Sequence, residues 1–193
     1  TSYATRGVPM VPFYTYYSMF GFQRVGDLLW AASDSRARGF LLGATSGRTT
    51  LLGEGLQHQD GHSHVLASVI PACEAYDPAF AYEIAGIIEH GLKRMYVDNE
   101  DVYYYLTLYN ESYAQPPKPE GSDQGIIDGL YKWAPAPTST KYRATILFSG
   151  PSHAAAREAQ TILADEYDVG AELWSATSYK KLREEAMSID RWN

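Results

Sequence analysis

The ionisable side chains of this 193-residue sequence are concentrated in one glycine-rich segment. Residues 53–64, with the sequence GEGLQHQDGHSH, include Glu54, Asp60 and three of the five histidines. Glu54 and His58 are four positions apart, so a single helical turn would bring them within hydrogen-bond reach. A carboxylate beside an imidazole raises the imidazole pKa towards neutrality, as a proton donor or acceptor requires. Acid/base catalysis is therefore one hypothesis for this segment.

Two other interpretations of the segment stay open. The three histidines together with Asp60 offer metal donors at short spacing. However, zinc sites usually place two ligands on one helical turn or in paired knuckles, and this spacing fits neither, so we assign no metal ligands. A glycine-rich polar loop also holds histidines that only bond backbone groups, and most loop histidines are not catalytic.

A second group of candidate residues lies where an aromatic stretch turns into a helix. Residues 10–17, MVPFYTYY, are typical of a buried strand that ends at Tyr17. Ligands of α/β sheets bind outside the carboxyl ends of the strands, where an aromatic such as Phe20 can stack on a planar ligand. Phe20 can equally be core packing, and Arg24, one turn further on, can equally be a solvated or paired helix residue.

The elements that must position these residues alternate between strand and helix. The first strand precedes a helix with an apolar stripe formed by Phe22, Val25, Leu28, Leu29 and Ala32. Strands are predicted at 39–45, 74–76, 102–109, 144–149 and 170–176. Helices are predicted at 77–96, with Asp77 as N-cap and Pro78 at its first position, at 152–167, and from 178 onward. This alternation predicts an α/β fold with largely parallel sheets and helices on both faces.

Two loose stretches suggest a division of the chain. Residues 115–121 are too rich in proline for a helix or a central strand, and residues 133–140 also lack a periodic pattern. The strand and helix patterns restart after them. We therefore predict two domains, at residues 1–137 and 138–193.

Composition excludes several classes of protein. Sixteen Lys and Arg against 23 Asp and Glu give a net charge of −7, which argues against binding a nucleic-acid backbone. No apolar run approaches the ~20 residues of a membrane span, so we expect no membrane partner. The single cysteine favours a reducing cytoplasm. Sixteen tyrosines against six phenylalanines indicate a polar-lined cleft or wet interface rather than a dry core alone.

Longer motifs carry a resemblance to a known family. Residues 12–26, PFYTYYSMFGFQRVG, and 43–64, GATSGRTTLLGEGLQHQDGHSH, closely resemble the bacterial homodimeric pyruvate dehydrogenases. These are the thiamine-diphosphate-dependent first components of the pyruvate dehydrogenase complex, within the transketolase-like superfamily. The resemblance covers nearly the whole chain. It implies most of a pyrimidine-binding middle domain up to about residue 137, followed by the beginning of the carboxy-terminal domain.

The resemblance also implies roles for individual residues. Phe20 matches the aromatic that stacks on the aminopyrimidine ring of thiamine diphosphate. Tyr17, Glu54 and His58 match active-site positions near the thiazolium and the substrate, and Arg24 matches an arginine beside them. The implied catalytic residues are thus His58, Glu54 and Tyr17, and the implied cofactor-binding residues are Phe20, Tyr17, Arg24 and Glu54.

The implied activity is decarboxylation of pyruvate on thiamine diphosphate and transfer of the acetyl unit to a lipoyl group. The implied partners are a second copy of the chain, with the cofactor across the dimer interface, and the dihydrolipoyl acetyltransferase component. The family's Gly-Asp-Gly motif for diphosphate and Mg²⁺ is absent here, so we expect Mg²⁺ to be held by an upstream domain. We expect a fragment that is inactive alone. The alternative is a non-catalytic folding or dimerisation unit, or a split subunit, contributing half a cofactor site.

Overall fold

The computed structural model describes residues 8–44, 46 and 55–192, and the chain folds as two compact units. The first unit comprises Thr1–Tyr76 and Ile87–Tyr113, and the second comprises Asp77–Gly86 and Ala114–Asn193. No helix in the described part of the chain is long and apolar enough to cross a membrane. The domain boundary near residue 137 stays a prediction.

A four-stranded parallel sheet forms the centre of the first unit. Its strands are β1 (Phe13–Tyr17), β2 (Phe40–Ala44), β3 (Cys73–Tyr76) and β4 (Tyr103–Thr107), in the order β1-β2-β4-β3. Every neighbouring pair is parallel, which confirms the predicted sheet type. Each strand lies within or close to its predicted range, and β3 and β4 are the buried runs typical of parallel sheets. The prediction that the first strand is buried was wrong. β1 lies at the edge of the sheet, and its Phe13 and Tyr14 side chains are 50% and 57% exposed.

Helix α1 (Ser18–Asp34) follows β1 without a loop, and the short helix α2 (Ser63–Ser68) packs near it. Phe22 and Leu29 of the predicted stripe are buried in a core with Tyr105 of β4. Leu28 is 66% exposed, so its place in the stripe was wrong. The backbone leaves helical geometry at Val25, which breaks the periodicity on which that prediction depended.

Helix α3 (Ala81–Leu92) begins later than predicted and continues as a π-helical turn, Lys93–Val97. The prediction that Asp77 caps this helix was wrong, because the helix begins at Ala81, four residues later. The Asp77 N–H donates to the carbonyl of Thr177, 2.7 Å away, in the second unit to which both residues belong.

The buried Glu83 takes over the capping role. Its carboxylate accepts hydrogen bonds from the backbone N–H groups of Ala79 and Phe80, which precede the helix. Its other oxygen accepts the hydroxyls of Tyr131 and Ser175, at 2.6 and 2.8 Å. A carboxylate at this position satisfies the unpaired N–H groups of a helix amino terminus.

The second unit contains a three-stranded mixed sheet. Its strands are β5 (Tyr131–Ala134), β6 (Tyr142–Phe148) and β7 (Val169–Ser175), in the order β5-β7-β6. β6 and β7 are parallel, and β5 is antiparallel to β7. The unit also contains helices α4 (Asp123–Asp128), α5 (His153–Tyr167) and α6 (Tyr179–Trp192). The last two strands and helices were predicted. β5 and α4 were not.

Candidate active site

An aromatic corner is formed where β1 passes directly into α1. Tyr17 keeps an extended backbone, with φ −68° and ψ 118°, and the helix begins at the next residue. Tyr17 and Phe20 thus lie at the carboxyl end of a parallel strand, the edge at which α/β sheets bind ligands. Their ring centroids are 5.6 Å apart. Gly43 of the neighbouring strand keeps the corner compact, because a Cβ there would approach the Ser18 Cβ to 3.0 Å.

The glycine-rich segment brings His58 to this corner. Gly55 has a φ of 75°, a left-handed conformation that favours glycine, and a 3₁₀ turn, Leu56–His58, follows. The His58 Nδ1 atom lies 3.1 Å from the Tyr17 hydroxyl, where either group can donate according to the imidazole tautomer. The imidazole also stands edge-on to the rings of Tyr17 and Phe20, with centroid distances of 5.4 and 5.5 Å. The structure therefore brings together three of the predicted site residues, Tyr17, Phe20 and His58.

Arg24 completes the described part of the corner. Its guanidinium carbon lies 5.4 Å from the centroid of the Phe20 ring, within the range of a cation–π contact. Glu54, the remaining predicted site residue, lies outside the described residues.

The other ionisable residues of the segment bond to polar groups other than Tyr17, and Asp60 and His62 also face each other, with His62 Nδ1 3.8 Å from Asp60 Oδ1. Asp60 accepts the backbone N–H groups of His62 and Ser63 at 3.1 and 3.0 Å, and also the Ser63 hydroxyl. His62 Nε2 lies 2.6 Å from Gln23 Nε2, and His64 Nε2 lies 2.9 Å from the Thr107 hydroxyl. Within residues 8–44, 46 and 55–192, no group of three or more His, Cys, Asp or Glu side chains is placed to hold a metal ion.

The pKa of Asp60 is lowered despite its burial. Its side chain is 2% exposed, and burial alone would raise the pKa of the carboxyl. The hydrogen bonds from Ser63 and His62, together with the nearby His64, outweigh burial and lower that pKa below its usual value. These contacts therefore favour the charged form of a carboxyl that lies two residues from His58.

Sequence reasoning missed three residues that support the corner: Gln23, Ser63 and Tyr105. The spacing of Asp60 and Ser63 carried a usable signal, since an Asp three residues before a helical N–H is typical of an N-terminal cap. Gln23 carried a second usable signal, because it lies three residues after Phe20 and side chains at this spacing are neighbours on a helix. Nothing distinguished Tyr105 from the tyrosines beside it in the sequence.

The chain is similar in sequence to one family of known proteins. The family model described as pyruvate dehydrogenase E1 component middle domain matches residues 1–116. The pyruvate dehydrogenase E1 component of Escherichia coli K12 is 54% identical over 194 aligned positions, and that of Mycolicibacterium smegmatis is 56% identical over 193. The matches cover 100% and 99% of this chain but only 22% and 21% of those proteins. The chain thus spans about a fifth of the length of these relatives.

Solved structures are similar to the chain in fold. A transketolase from Leishmania mexicana has a TM-score of 0.69 at 18% identity, covering 91% of this chain and 24% of that one. A split gene transketolase, described as an inactive beta4 tetramer, has a TM-score of 0.56 at 18% identity, covering 94% and 54%. At these identities the similarity shows a transketolase-like α/β fold. Together with the sequence matches, it establishes that the chain belongs to the pyruvate dehydrogenase E1 component family.

Proposed function

We propose that the chain forms part of an acetyl-transferring pyruvate dehydrogenase, which decarboxylates pyruvate on thiamine diphosphate and passes acetyl to a lipoyl group. The observation that carries the proposal is the meeting of His58, Tyr17 and Phe20 at the carboxyl end of β1. The relatives at 50–56% identity bear the same name, pyruvate dehydrogenase E1 component, and this name supports pyruvate as the substrate.

The side chains at the corner have the chemistry that thiamine diphosphate requires. Phe20 and Tyr17 offer aromatic surface for the aminopyrimidine ring, and Arg24 and His58 add polar groups beside it. We assign Glu54 to the same cofactor site by resemblance. When bound, the cofactor supplies an electron sink for loss of carbon dioxide. We assign Mg²⁺ and the diphosphate to a domain outside these residues.

We propose that His58 moves the proton that acetyl transfer to the lipoyl sulfur requires. An imidazole can both donate and accept a proton through its ring nitrogens, as this transfer requires. The Tyr17 hydroxyl contacts Nδ1, so it fixes the orientation of the ring, and we assign the transferred proton to Nε2. Phe20 and Tyr17 pack against the imidazole edge and exclude water from that side. We assign Glu54 and Tyr17 the role of orienting the groups around the His58 imidazole.

Calorimetric titration of thiamine diphosphate into the full-length protein tests the cofactor assignment. Phe20→Leu keeps apolar bulk but removes the ring, so it should cost about 0.5–1.5 kcal/mol of binding energy, and Phe20→Ala should cost more through lost burial. Phe13→Ala is the matched control, because Phe13 is a half-exposed aromatic at the other end of β1. Wild-type affinity in both Phe20 variants would contradict the assignment.

A second candidate function is a non-catalytic folding or dimerisation unit that contributes half a cofactor site. Its support is that the chain spans 22% of its Escherichia coli relative and has the fold of a split gene transketolase described as inactive.

For the full-length protein, we propose a homodimer that lies in the cytoplasm and binds the acetyltransferase component. We also propose that the 193 residues alone do not turn over pyruvate. Pyruvate decarboxylation by the isolated chain with thiamine diphosphate and Mg²⁺ would overturn that inactivity.

A further inference from the structure

The position of the His58 ring depends on a short segment with little secondary structure of its own. After the 3₁₀ turn, Gln59 is extended, with φ −80° and ψ 114°, and α2 begins at Ser63. Asp60 is only two residues from His58, so their Cα atoms are at most ~7 Å apart. Displacement of the backbone at Asp60 would therefore move the imidazole.

Asp60 attaches this segment to the centre of the sheet. Its carboxylate accepts the Ser63 hydroxyl, and Ser63 Oγ in turn accepts the hydroxyl of Tyr105, 2.9 Å away in β4. All three side chains are nearly inaccessible, at 2%, 1% and 0% exposure for Asp60, Ser63 and Tyr105. Buried hydrogen-bonded chains of this kind fix geometry, because breaking one member leaves the others unsatisfied.

Gln23 attaches the same segment to helix α1. Its Nε2 group donates to the Met19 carbonyl at 3.1 Å and lies 2.6 Å from His62 Nε2. Gln23 is three residues after Phe20 and next to Arg24. The helix that carries the aromatic and cationic parts of the corner is thus linked directly to the segment that carries the imidazole.

We propose that Asp60 and Gln23 are positioning residues that hold the His58 ring against the Tyr17 hydroxyl. Neither side chain contacts the reacting groups in this assignment. Asp60 fixes the segment relative to the sheet, and Gln23 fixes it relative to α1. The catalytic meaning of the inference rests on the proposed function, whereas the positioning itself does not.

Nitrogen-15 NMR of the imidazole side chains in the full-length protein, labelled at histidine only, tests the positioning without cofactor or substrate. In wild type, the His58 signals should show ring-current displacement by Phe20 and Tyr17 and one dominant tautomer. Asp60→Ala should move them towards the values of a solvated histidine. Asp60→Asn should retain most of the displacement, because its amide oxygen still accepts the N–H groups of His62 and Ser63.

Two further variants keep the test decisive. Gln23 is exposed, so Gln23→Ala should fold, and it should also displace the His58 signals. Asp101→Asn is the matched control, because Asp101 is a carboxylate paired with Arg38 before the amino end of β4, opposite the candidate site. Wild-type His58 signals in Asp60→Ala or in Gln23→Ala would overturn the role of the residue concerned.

Activity of the full-length enzyme separates this inference from the proposed function. Asp60→Ala and Gln23→Ala should lower the acetyl-transfer rate by about 10-fold to 100-fold with little change in the KM for pyruvate, and Asp60→Asn should restore most of it. If His58 moves in the NMR spectra but His58→Ala leaves acetyl transfer unchanged, the proton-transfer role proposed for His58 fails and the positioning stands. If His58→Ala abolishes transfer but the Asp60 and Gln23 variants leave the ring in place, only the positioning fails.

Discussion

Replacing Tyr17 by Phe removes one oxygen atom from the candidate active site. The oxygen lies 3.1 Å from His58 Nδ1, and the ring that carries it also packs against the imidazole edge. Tyr17→Phe therefore deletes the hydrogen bond and leaves the ring packing in place. Because the side chain is only half-buried, we expect the fold to tolerate the change.

The size of the effect follows from that single bond. A hydrogen bond of this type contributes about 0.5–1.5 kcal/mol, and each ~1.4 kcal/mol corresponds to a factor of ten. Loss of the Tyr17 hydroxyl should thus slow acetyl transfer to the lipoyl group about 2-fold to 12-fold. The assay is pyruvate-dependent acetylation of a lipoyl domain by the full-length enzyme under single-turnover conditions.

A double-mutant cycle tests the reasoning behind the estimate. If Tyr17 acts through His58, the Tyr17→Phe change should have no further effect in a His58→Ala background. Tyr14→Phe provides the control, since Tyr14 belongs to the same strand and is 57% exposed. Additive effects of Tyr17→Phe and His58→Ala, or an equal loss in Tyr14→Phe, would refute the assignment of Tyr17 as the residue that orients His58.

Two predictions concern stability. Glu83→Ala leaves two hydroxyls and two backbone N–H groups without their acceptor, so urea denaturation followed by tryptophan fluorescence should show a loss of about 3–5 kcal/mol, with a smaller loss in Glu83→Gln. Equal stability of Glu83→Ala and wild type would rule out the capping role. The lowered pKa of Asp60 stabilises the fold above the unfolded-state pKa of ~3.9, and this contribution is lost as the pH falls through the folded-state value. The stability difference between wild type and Asp60→Asn should therefore shrink between pH 5 and pH 2 in pH-dependent urea titrations, and a difference that is constant with pH would contradict it.

The local pattern of apolar and β-prone residues was sufficient to predict the strands of the sheet in the first unit. The run around β4 has the buried, β-prone residues that a central parallel strand requires, and the observed strand, Tyr103–Thr107, lies inside the predicted 102–109. Pattern was insufficient where a distant partner decides the outcome. The N–H of Ala81, the first residue of α3, donates to the side-chain oxygen of Gln115, 34 positions later, and β5 pairs with β7, which is also distant in the sequence.

Part of the tyrosine content belongs to the core of the first unit. Tyr76, Tyr104 and Tyr105, three of the sixteen tyrosines, are fully buried there. Buried tyrosines are tolerated there because their hydroxyls have partners, such as Ser63 for Tyr105.

The candidate site shows the same limit of local reasoning. Spacing suggested Glu54 as the partner of His58 across one helical turn, but the described turn comprises only Leu56–His58, and Glu54 lies outside the described residues. The partner that the structure does show is Tyr17, 41 positions earlier in the chain. Helical and strand periodicities relate residues that are near in the sequence, so they could not predict a contact over 41 positions. The family resemblance suggested both residues because it depends on whole motifs.

The rate of acetyl transfer by His58→Ala tests the central assignment most directly. The variant should be compared with wild type in the full-length enzyme, with pyruvate decarboxylation to free acetaldehyde measured in parallel. If His58 supplies a proton in this step, transfer to the lipoyl group should fall by ~10²–10⁴-fold. Acetyl transfer at the wild-type rate would contradict the role that we assign to His58.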